Sequence, residues 1–335
     1  MQKRSVQRTI RIYEERTYAE RRGEFGVIML AVEHLSKTYT SGFLIHREEV
    51  HAVRDVSFSI KGTEIFGIVG ESGCGKTTLG KMLVRLLDPT GGRVTIGDLD
   101  ITRLRGSELQ RYWPNLQMIF QDPRASLNPR MRIGDSLVEG LKLSGERDLI
   151  EDTVQEIIQN MNIREEILNR YPHEVSGGEI QRIVIARAIS LNPKLIVADE
   201  PTSNLDLSVQ AQILTLIKKV QKERSIPCVL ISHDIEVVKW MCNRIAVMLR
   251  GRIVEEGPTD DVIRNPLHPY TEELINASSF CGETTEYQNP EASQPTDEGC
   301  PYAGRCTAAR QECRIGEVRL RGGIHKVACR SVSED

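Results

Sequence analysis

The segment Gly70-Glu71-Ser72-Gly73-Cys74-Gly75-Lys76-Thr77 fits the pattern G-x-x-x-x-G-K-[ST], whose glycines let successive backbone N–H groups close around phosphate oxygens. Its flanks constrain the local fold. Residues 65–69 are a short apolar run that reads as a buried strand. Beyond Lys76, the residues Leu79, Met82, Leu83, Leu86 and Leu87 recur at i, i+3, i+4, i+7 and i+8, the spacing of an amphipathic helix that is predicted to stop at Asp88-Pro89. A strand, a glycine turn and a helix in that order aim the positive end of the helix at the turn, which makes an anion site. Gly70, Glu71, Ser72, Gly73, Cys74, Gly75, Lys76, Thr77 and Thr78 are therefore the candidate nucleotide contacts. Lys76 is placed for the β- and γ-phosphates, and the Thr77 hydroxyl for Mg²⁺.

A second element completes this chemistry. Leu195-Ile196-Val197-Ala198 is an apolar strand that ends in Asp199-Glu200. Asp199 is expected to reach Mg²⁺ and Glu200 to polarise an attacking water. Strand-type runs at 56–60, 228–231 and 245–249 alternate with the helical pattern Val209, Ile213, Leu216, Ile217, Val220, which predicts an α/β fold with a mainly parallel sheet. Between 122 and 175 the sequence turns charged and helix-favouring, as a helical insertion would. Cys74, at the helix start, is expected to have a lowered thiol pKa and to be oxidisable when ATP is absent, against the alternative of a neutral substitution.

Composition limits the partners. The net charge of -3 and pI near 6.2 offer no general attraction to nucleic acid. No apolar run approaches the roughly 20 residues that span a bilayer, so the reading is a cytosolic protein whose membrane role comes through a partner. Residues 1–30 carry mixed charge and read as an N-terminal arm, with Met29 a second candidate start. Five of the eight cysteines lie at or beyond Cys281. Cys228 and Cys242, in apolar surroundings, read as small core residues.

Val175-Ser176-Gly177-Gly178-Glu179, between the phosphate loop and Asp199-Glu200, makes the chain resemble an ATP-binding-cassette (ABC) ATPase. Further stretches agree: Tyr39 after Leu35-Ser36-Lys37-Thr38, Gln121, Ser203-Asn204-Leu205-Asp206, and Ile231-Ser232-His233-Asp234. The resemblance implies that Tyr39 stacks on adenine, that Gln121 touches Mg²⁺ and water, that Asp206 belongs to a loop crossing a dimer interface, and that His233 contacts the γ-phosphate. It also implies that Ser176, Gly177, Gly178 and Glu179 close over ATP bound by a second cassette, so this one-cassette chain must dimerise. Val175 and Glu179 stand where Leu and Gln are commoner, and Asn204 where Ala is usual. Glu179 would bring a carboxylate near a phosphate and slow hydrolysis.

Within that family, three stretches resemble the ATPase subunits of oligopeptide, dipeptide and nickel importers. They are residues 117–123 with Ser126-Leu127-Asn128-Pro129, Tyr171-Pro172-His173-Glu174, and Asn265-Pro266-Leu267-His268-Pro269-Tyr270-Thr271. The resemblance implies a cassette over 31–265 with a parallel core sheet, an antiparallel β subdomain and the helical insertion, followed by an importer-type C-terminal region over 266–335. It implies a peripheral subunit on the cytoplasmic face of the cell membrane, working with a second ATPase in a hetero- or homodimer, two transmembrane permease subunits and an extracytoplasmic receptor. The imported solute would be a peptide or a related small solute such as a nickel chelate. Cys300, Cys306, Cys313 and Cys329 suit a 4Fe-4S cluster of the kind some members carry, with zinc-bound or unligated cysteines as the alternative. The rival reading is a soluble ABC ATPase that drives metalloenzyme activation or remodelling.

Overall fold

A computed structural model describes residues 28–41, 48–144, 150–203, 205–279 and 298–332. The N-terminal arm before residue 28, residues 42–47, Asn204 and Cys281 therefore lie outside the described residues. The described strands form two sheets. The first is antiparallel and takes the order β2-β1-β4-β5, from β1 (Ile28–Ser41), β2 (Glu48–Lys61), β4 (Gly91–Ile96) and β5 (Leu99–Asp100). The second is built on β3 (Ile65–Val69), β6 (Leu116–Ile119), β7 (Leu195–Asp199), β8 (Cys228–Ser232), β9 (Arg244–Leu249), β10 (Arg252–Pro258) and β11 (Lys326–Val327), in the order β11-β10-β9-β3-β8-β7-β6. From β9 to β6 the neighbours run parallel, while β10 and β11 are antiparallel additions at one edge.

All five residues of β3, β7 and β8 are buried, which is why these strands read as unbroken apolar runs rather than alternating ones. Successive side chains still go to opposite faces. Ile65, Val69, Ile196, Ala198 and Leu230 join the larger core, with residues of α5 (Gly177–Ser190) and α6 (Leu207–Arg224). Phe66, Ile68, Val197, Val229 and Ile231 join the second core, with α1 (Lys76–Leu83) and the antiparallel sheet. The helical insertion takes the form of α3 (Ile133–Ser144) and α4 (Ile150–Asn160), with Leu137, Leu141, Ile157 and Ile158 buried.

Helix α1 ends earlier than its apolar spacing predicts. Arg85 adopts φ +57, and the chain leaves the helix there, with Leu86 half exposed. The cause is the burial of the Arg85 side chain, which is 0% exposed. Its Nε donates to the Ile101 carbonyl at 3.0 Å and its Nη2 to those of Thr102 and Leu104, while Nη1 pairs with Asp88. A guanidinium withdrawn from water needs every donor occupied, and this arrangement ties the end of α1 to the β5 connection.

The C-terminal region is part of the same sheet. Val327 and Lys326 of β11 pair with Glu255 and Glu256 of β10, and the Ala328 N–H donates to the Val254 carbonyl at 2.8 Å. A two-residue strand carries no periodicity, so the sequence offered no sign of this attachment. Replacing Arg85 by Met should strand three backbone carbonyls and lower unfolding free energy by about 3 kcal/mol, read as a fall in the urea midpoint at unchanged slope. A midpoint equal to that of the parent chain would show that Arg85 does not hold α1 in place.

Candidate functional site

Parallel strands present their carboxyl ends at one edge of the sheet, and in open α/β sheets ligands bind there. Here β3 delivers the phosphate loop, β7 delivers Asp199 and Glu200, β8 delivers Ser232 and His233, and the chain beyond β6 delivers Gln121. Four segments distant in sequence thus converge because the strands that carry them are hydrogen-bonded neighbours.

In the phosphate loop, Gly75 has φ +108, and a Cβ there would lie 2.1 Å from the Ala52 carbonyl oxygen. Only glycine fits where the loop passes the antiparallel sheet. Lys76 is buried, and its Nζ donates to the carbonyls of Gly70 at 2.7 Å and Glu71 at 2.8 Å, so the cation spans the loop it will serve. Ser72, Gly73 and Thr77 are exposed at the loop mouth. Cys74 departs from expectation: it is 6% exposed and belongs to the second core. Burial pushes its thiol pKa up, outweighing the nearby Lys76 charge, and a buried protonated thiol is not the oxidisable group predicted from its place at a helix start.

Asp199 is 3% exposed and its Oδ1 has no hydrogen-bond partner among the described residues. Burial raises the pKa of its carboxyl, as does the charge of Glu200, while the Thr77 hydroxyl bonded to it and the Lys76 charge act in the opposite sense. A buried carboxylate with one oxygen orphaned beside a threonine hydroxyl is the donor set a hard divalent cation takes, so these residues fit Mg²⁺.

Glu200 holds φ +45, a conformation non-glycine residues seldom adopt. Three contacts over-determine it. Its N–H donates to the Ile231 carbonyl at 2.9 Å, its Oε2 accepts from Gln121 Nε2 at 2.9 Å, and its Oε1 lies 2.9 Å from His233 Nδ1. The Glu200 side chain is 15% exposed and that of His233 60%, so the carboxylate sits at the floor of the site and the imidazole at its rim.

Ser176, Gly177, Gly178 and Glu179 form a second cluster at the start of α5. The Glu179 Oε2 accepts from the Ser176 N–H at 3.2 Å and from its hydroxyl at 2.6 Å, while Oε1 pairs with Arg164. The Ser176 hydroxyl first, and Arg164 second, hold the Glu179 carboxyl below its usual pKa. The carboxylate expected to burden a phosphate site is thus occupied within its own helix cap. Arg124, for which the sequence alone gives no role, ties the segment that follows Gln121 to this cluster: its Nη1 and Nη2 donate to the Pro172 and Val175 carbonyls, each at 2.7 Å. Its only sequence signal was a position three residues after Gln121.

Asp206 caps α6, accepting from the Val209 N–H at 3.0 Å and the Ser208 hydroxyl at 2.6 Å. Tyr39 lies on the antiparallel sheet, 42% exposed, with the Lys37 ammonium 5.4 Å from its ring centre. Thr78 is half-buried in the first turn of α1. Cys228 and Cys242 are buried, and burial raises the Cys228 thiol pKa to about 12, as core residues require.

The 4Fe-4S cluster that the resemblance implies for the four tail cysteines finds no support among the described residues. Cys306, Cys313 and Cys329 are near enough for their charges to bear on Cys300. Yet among the described residues no group of three or more His, Cys, Asp or Glu is placed to hold a metal ion. In this stretch the Cys300 N–H donates to the Cys313 carbonyl at 2.8 Å, the Cys306 N–H to that of Tyr302 at 3.0 Å, and the Cys300 sulfur lies 3.6 Å from His268 Nε2. No helix among the described residues is long and apolar enough to cross a membrane.

Comparison with known proteins agrees with this geometry. The family described as ABC transporter matches residues 53–203, and the family described as oligopeptide/dipeptide transporter, C-terminal region, matches residues 254–313. The probable peptide ABC transporter ATP-binding protein y4tS of Sinorhizobium fredii is 42% identical over 85% of this chain and 84% of its own. The oligopeptide transport ATP-binding protein OppF of Bacillus subtilis is 44% identical over 74% of this chain and 82% of its own. Among solved structures, the dimeric post-hydrolysis state of the ATP-binding cassette MJ0796 bound to ADP and Pi superposes with a TM-score of 0.62 at 29% identity, covering 69% of this chain and 99% of that one. The chain belongs to the ATP-binding, ATP-hydrolysing subunits of ABC transporters, in the branch that carries the oligopeptide/dipeptide transporter C-terminal region.

Proposed function

We propose that this chain energises the import of peptides, as one of two cassettes that sandwich ATP beneath two transmembrane permease subunits at the cytoplasmic face of the membrane. The observation that carries the hydrolytic part is the Glu200 carboxylate, gripped by Gln121 and His233 at the ends of neighbouring strands. The peptide assignment rests on the C-terminal region and on relatives named for peptide transport. Nothing in those relatives favours a nickel chelate or a remodelling ATPase.

In this reading the loop N–H groups and Lys76 receive the β- and γ-phosphates. Lys76 exchanges the Gly70 and Glu71 carbonyls for phosphate oxygens. Asp199, Thr77 and Gln121 would hold Mg²⁺, which supplies charge neutralisation on the phosphate oxygens when bound. Glu200 accepts a hydrogen bond from the attacking water, its two oxygens kept in place by Gln121 and His233. Tyr39 offers an open ring to adenine. Ser176, Gly177 and Gly178 would complete the site of the facing cassette, and Asp206 would stand at the interface. Arg124 gives Gln121 a route to that signature segment.

Permease docking would use the open, largely charged groove on the helical insertion, where Arg130, Arg132, Asp135, Glu139 and Lys142 surround Leu143. Leu143 there is 83% exposed, an apolar surface with charged neighbours that suits a short amphipathic segment of a membrane subunit.

Glu200→Gln keeps a side chain of the same shape but cannot polarise water as a carboxylate does. It should bind ATP with unchanged affinity and lower kcat by about a hundredfold or more; wild-type turnover in this variant would remove Glu200 from its role. Affinity purification of the chain from detergent-solubilised membranes should recover two multi-span subunits and a second cassette. Recovery of soluble enzymes alone, with nothing from the membrane fraction, would overturn the transport reading.

A further inference from the structure

Glu71, the second residue of the phosphate loop, has all its polar groups engaged, two of them by the C-terminal region. Its carbonyl accepts from Lys76 Nζ at 2.8 Å within the loop. Its N–H donates to the Tyr270 hydroxyl at 3.0 Å, across 199 residues of sequence. Its carboxylate accepts from Arg305 Nη1 at 2.8 Å, across 234.

Neither partner is incidental to the tail. Tyr270 is 1% exposed, at the start of α9 (Pro269–Ser279), and a phenol so deeply buried is costly unless its oxygen is satisfied. Its own N–H donates to His268 Nδ1 at 3.1 Å, which fixes the His268 tautomer with the proton on Nε2, facing the Cys300 sulfur. Tyr302 packs its ring against Tyr270 at 5.7 Å and against His268 at 5.9 Å, and the Arg305 guanidinium lies 5.5 Å over the Tyr302 ring. Arg305 also pairs with Glu273 of α9, so it bridges that helix and the loop. The His268-Pro269-Tyr270 turn and the 300–305 stretch thus form one packed brace whose outward polar groups close on Glu71.

We propose that Tyr270 and Arg305 are positioning residues for ATP, and that the C-terminal region acts as a brace which holds the phosphate loop open through Glu71. When Lys76 turns from the Gly70 and Glu71 carbonyls toward phosphate, the loop loses its internal strut. Tyr270 and Arg305 then keep the first arm of the loop in the shape that presents its N–H groups. Pre-ordering of this kind acts on nucleotide affinity, since the ordering cost is met before binding, and leaves the water-polarising group untouched. The inference depends on ATP binding by the cassette and not on the identity of the transported solute.

The test is titration of the full chain with a fluorescent ATP analogue, paired with steady-state ATPase kinetics and a thermal melt without nucleotide. Tyr270→Phe keeps the ring and removes the acceptor; it should raise the nucleotide Kd and the KM for ATP about tenfold, with kcat at saturating ATP near that of the parent. Arg305→Met should raise both about threefold, the smaller effect of a half-exposed pair, and Arg305→Lys should restore part of the loss. Coupling of Arg305→Met to Glu71→Gln should be non-additive. Unchanged Kd and KM in both single variants would overturn the proposal, and so would a fall in kcat alone. Should Tyr270→Phe not fold, Arg305→Met at the surface of the brace decides the matter by the same readouts. A parent chain that binds nucleotide but brings down no membrane subunit from detergent-solubilised membranes would sink the transport reading and leave this inference standing.

Discussion

Burial of β3, β7 and β8 on both faces is the constraint from which the rest of the structure follows. A strand enclosed between α5 and α6 on one side and α1 with the antiparallel sheet on the other can carry almost no polar side chain along its length. Polar chemistry is therefore confined to the strand ends. Parallel pairing puts the ends of β3, β8, β7 and β6 at one edge, so that Lys76, His233, Glu200 and Gln121 meet without any of them being near another in sequence. The positive φ of Glu200 is the local cost of turning a chain sharply off a buried strand while keeping its carboxylate at that edge.

Much of this was legible because buried parallel strands leave a strong compositional trace. Runs such as 65–69 and 195–198 are apolar throughout, and the glycine loop between a run and a helical repeat admits few folds. Family resemblance assigns Glu200, Gln121 and His233 separate roles around ATP, but their contacts with one another join positions 79 and 33 residues apart that no periodicity in the sequence connects. What escaped notice has a common physical character. Arg85 ends α1 because its guanidinium is buried among carbonyls, and burial of a single charged side chain leaves no pattern in a linear string. Cys74 differs from the helix-end expectation because that argument weighs charge, whereas the second core packs around its sulfur and desolvation wins.

Electrostatic compensation explains how a carboxylate can stand in the signature segment. Glu179 is tied to the Ser176 N–H and hydroxyl and paired with Arg164, so its charge is offset before any phosphate approaches. The reciprocal of this arrangement is that Arg164 becomes part of the signature even though it lies outside the motif. Arg124 likewise ties the segment that follows Gln121 to the Pro172 and Val175 carbonyls. In both cases a guanidinium fork satisfies two acceptors at once, which a lysine could not do with the same rigidity, and so links two segments into one mechanical unit.

The same logic extends to the C-terminal region, which the sequence set apart at residue 266 and the fold joins to the catalytic sheet. Strand β11 adds to β10, and Glu255, 0% exposed, collects the Leu267 and His268 N–H groups at 2.9 Å each and His325 Nε2 at 2.6 Å. A carboxylate so buried is tolerated only when such donors surround it, and those donors come from both ends of the region. The His268-Pro269-Tyr270 turn is therefore anchored from beneath by Glu255 before its tyrosine reaches Glu71. An anchored turn can transmit position to a flexible glycine loop, whereas a free one would only follow it. The phosphate loop is thus held at its exit by α1 and at its entry by a segment two hundred residues away.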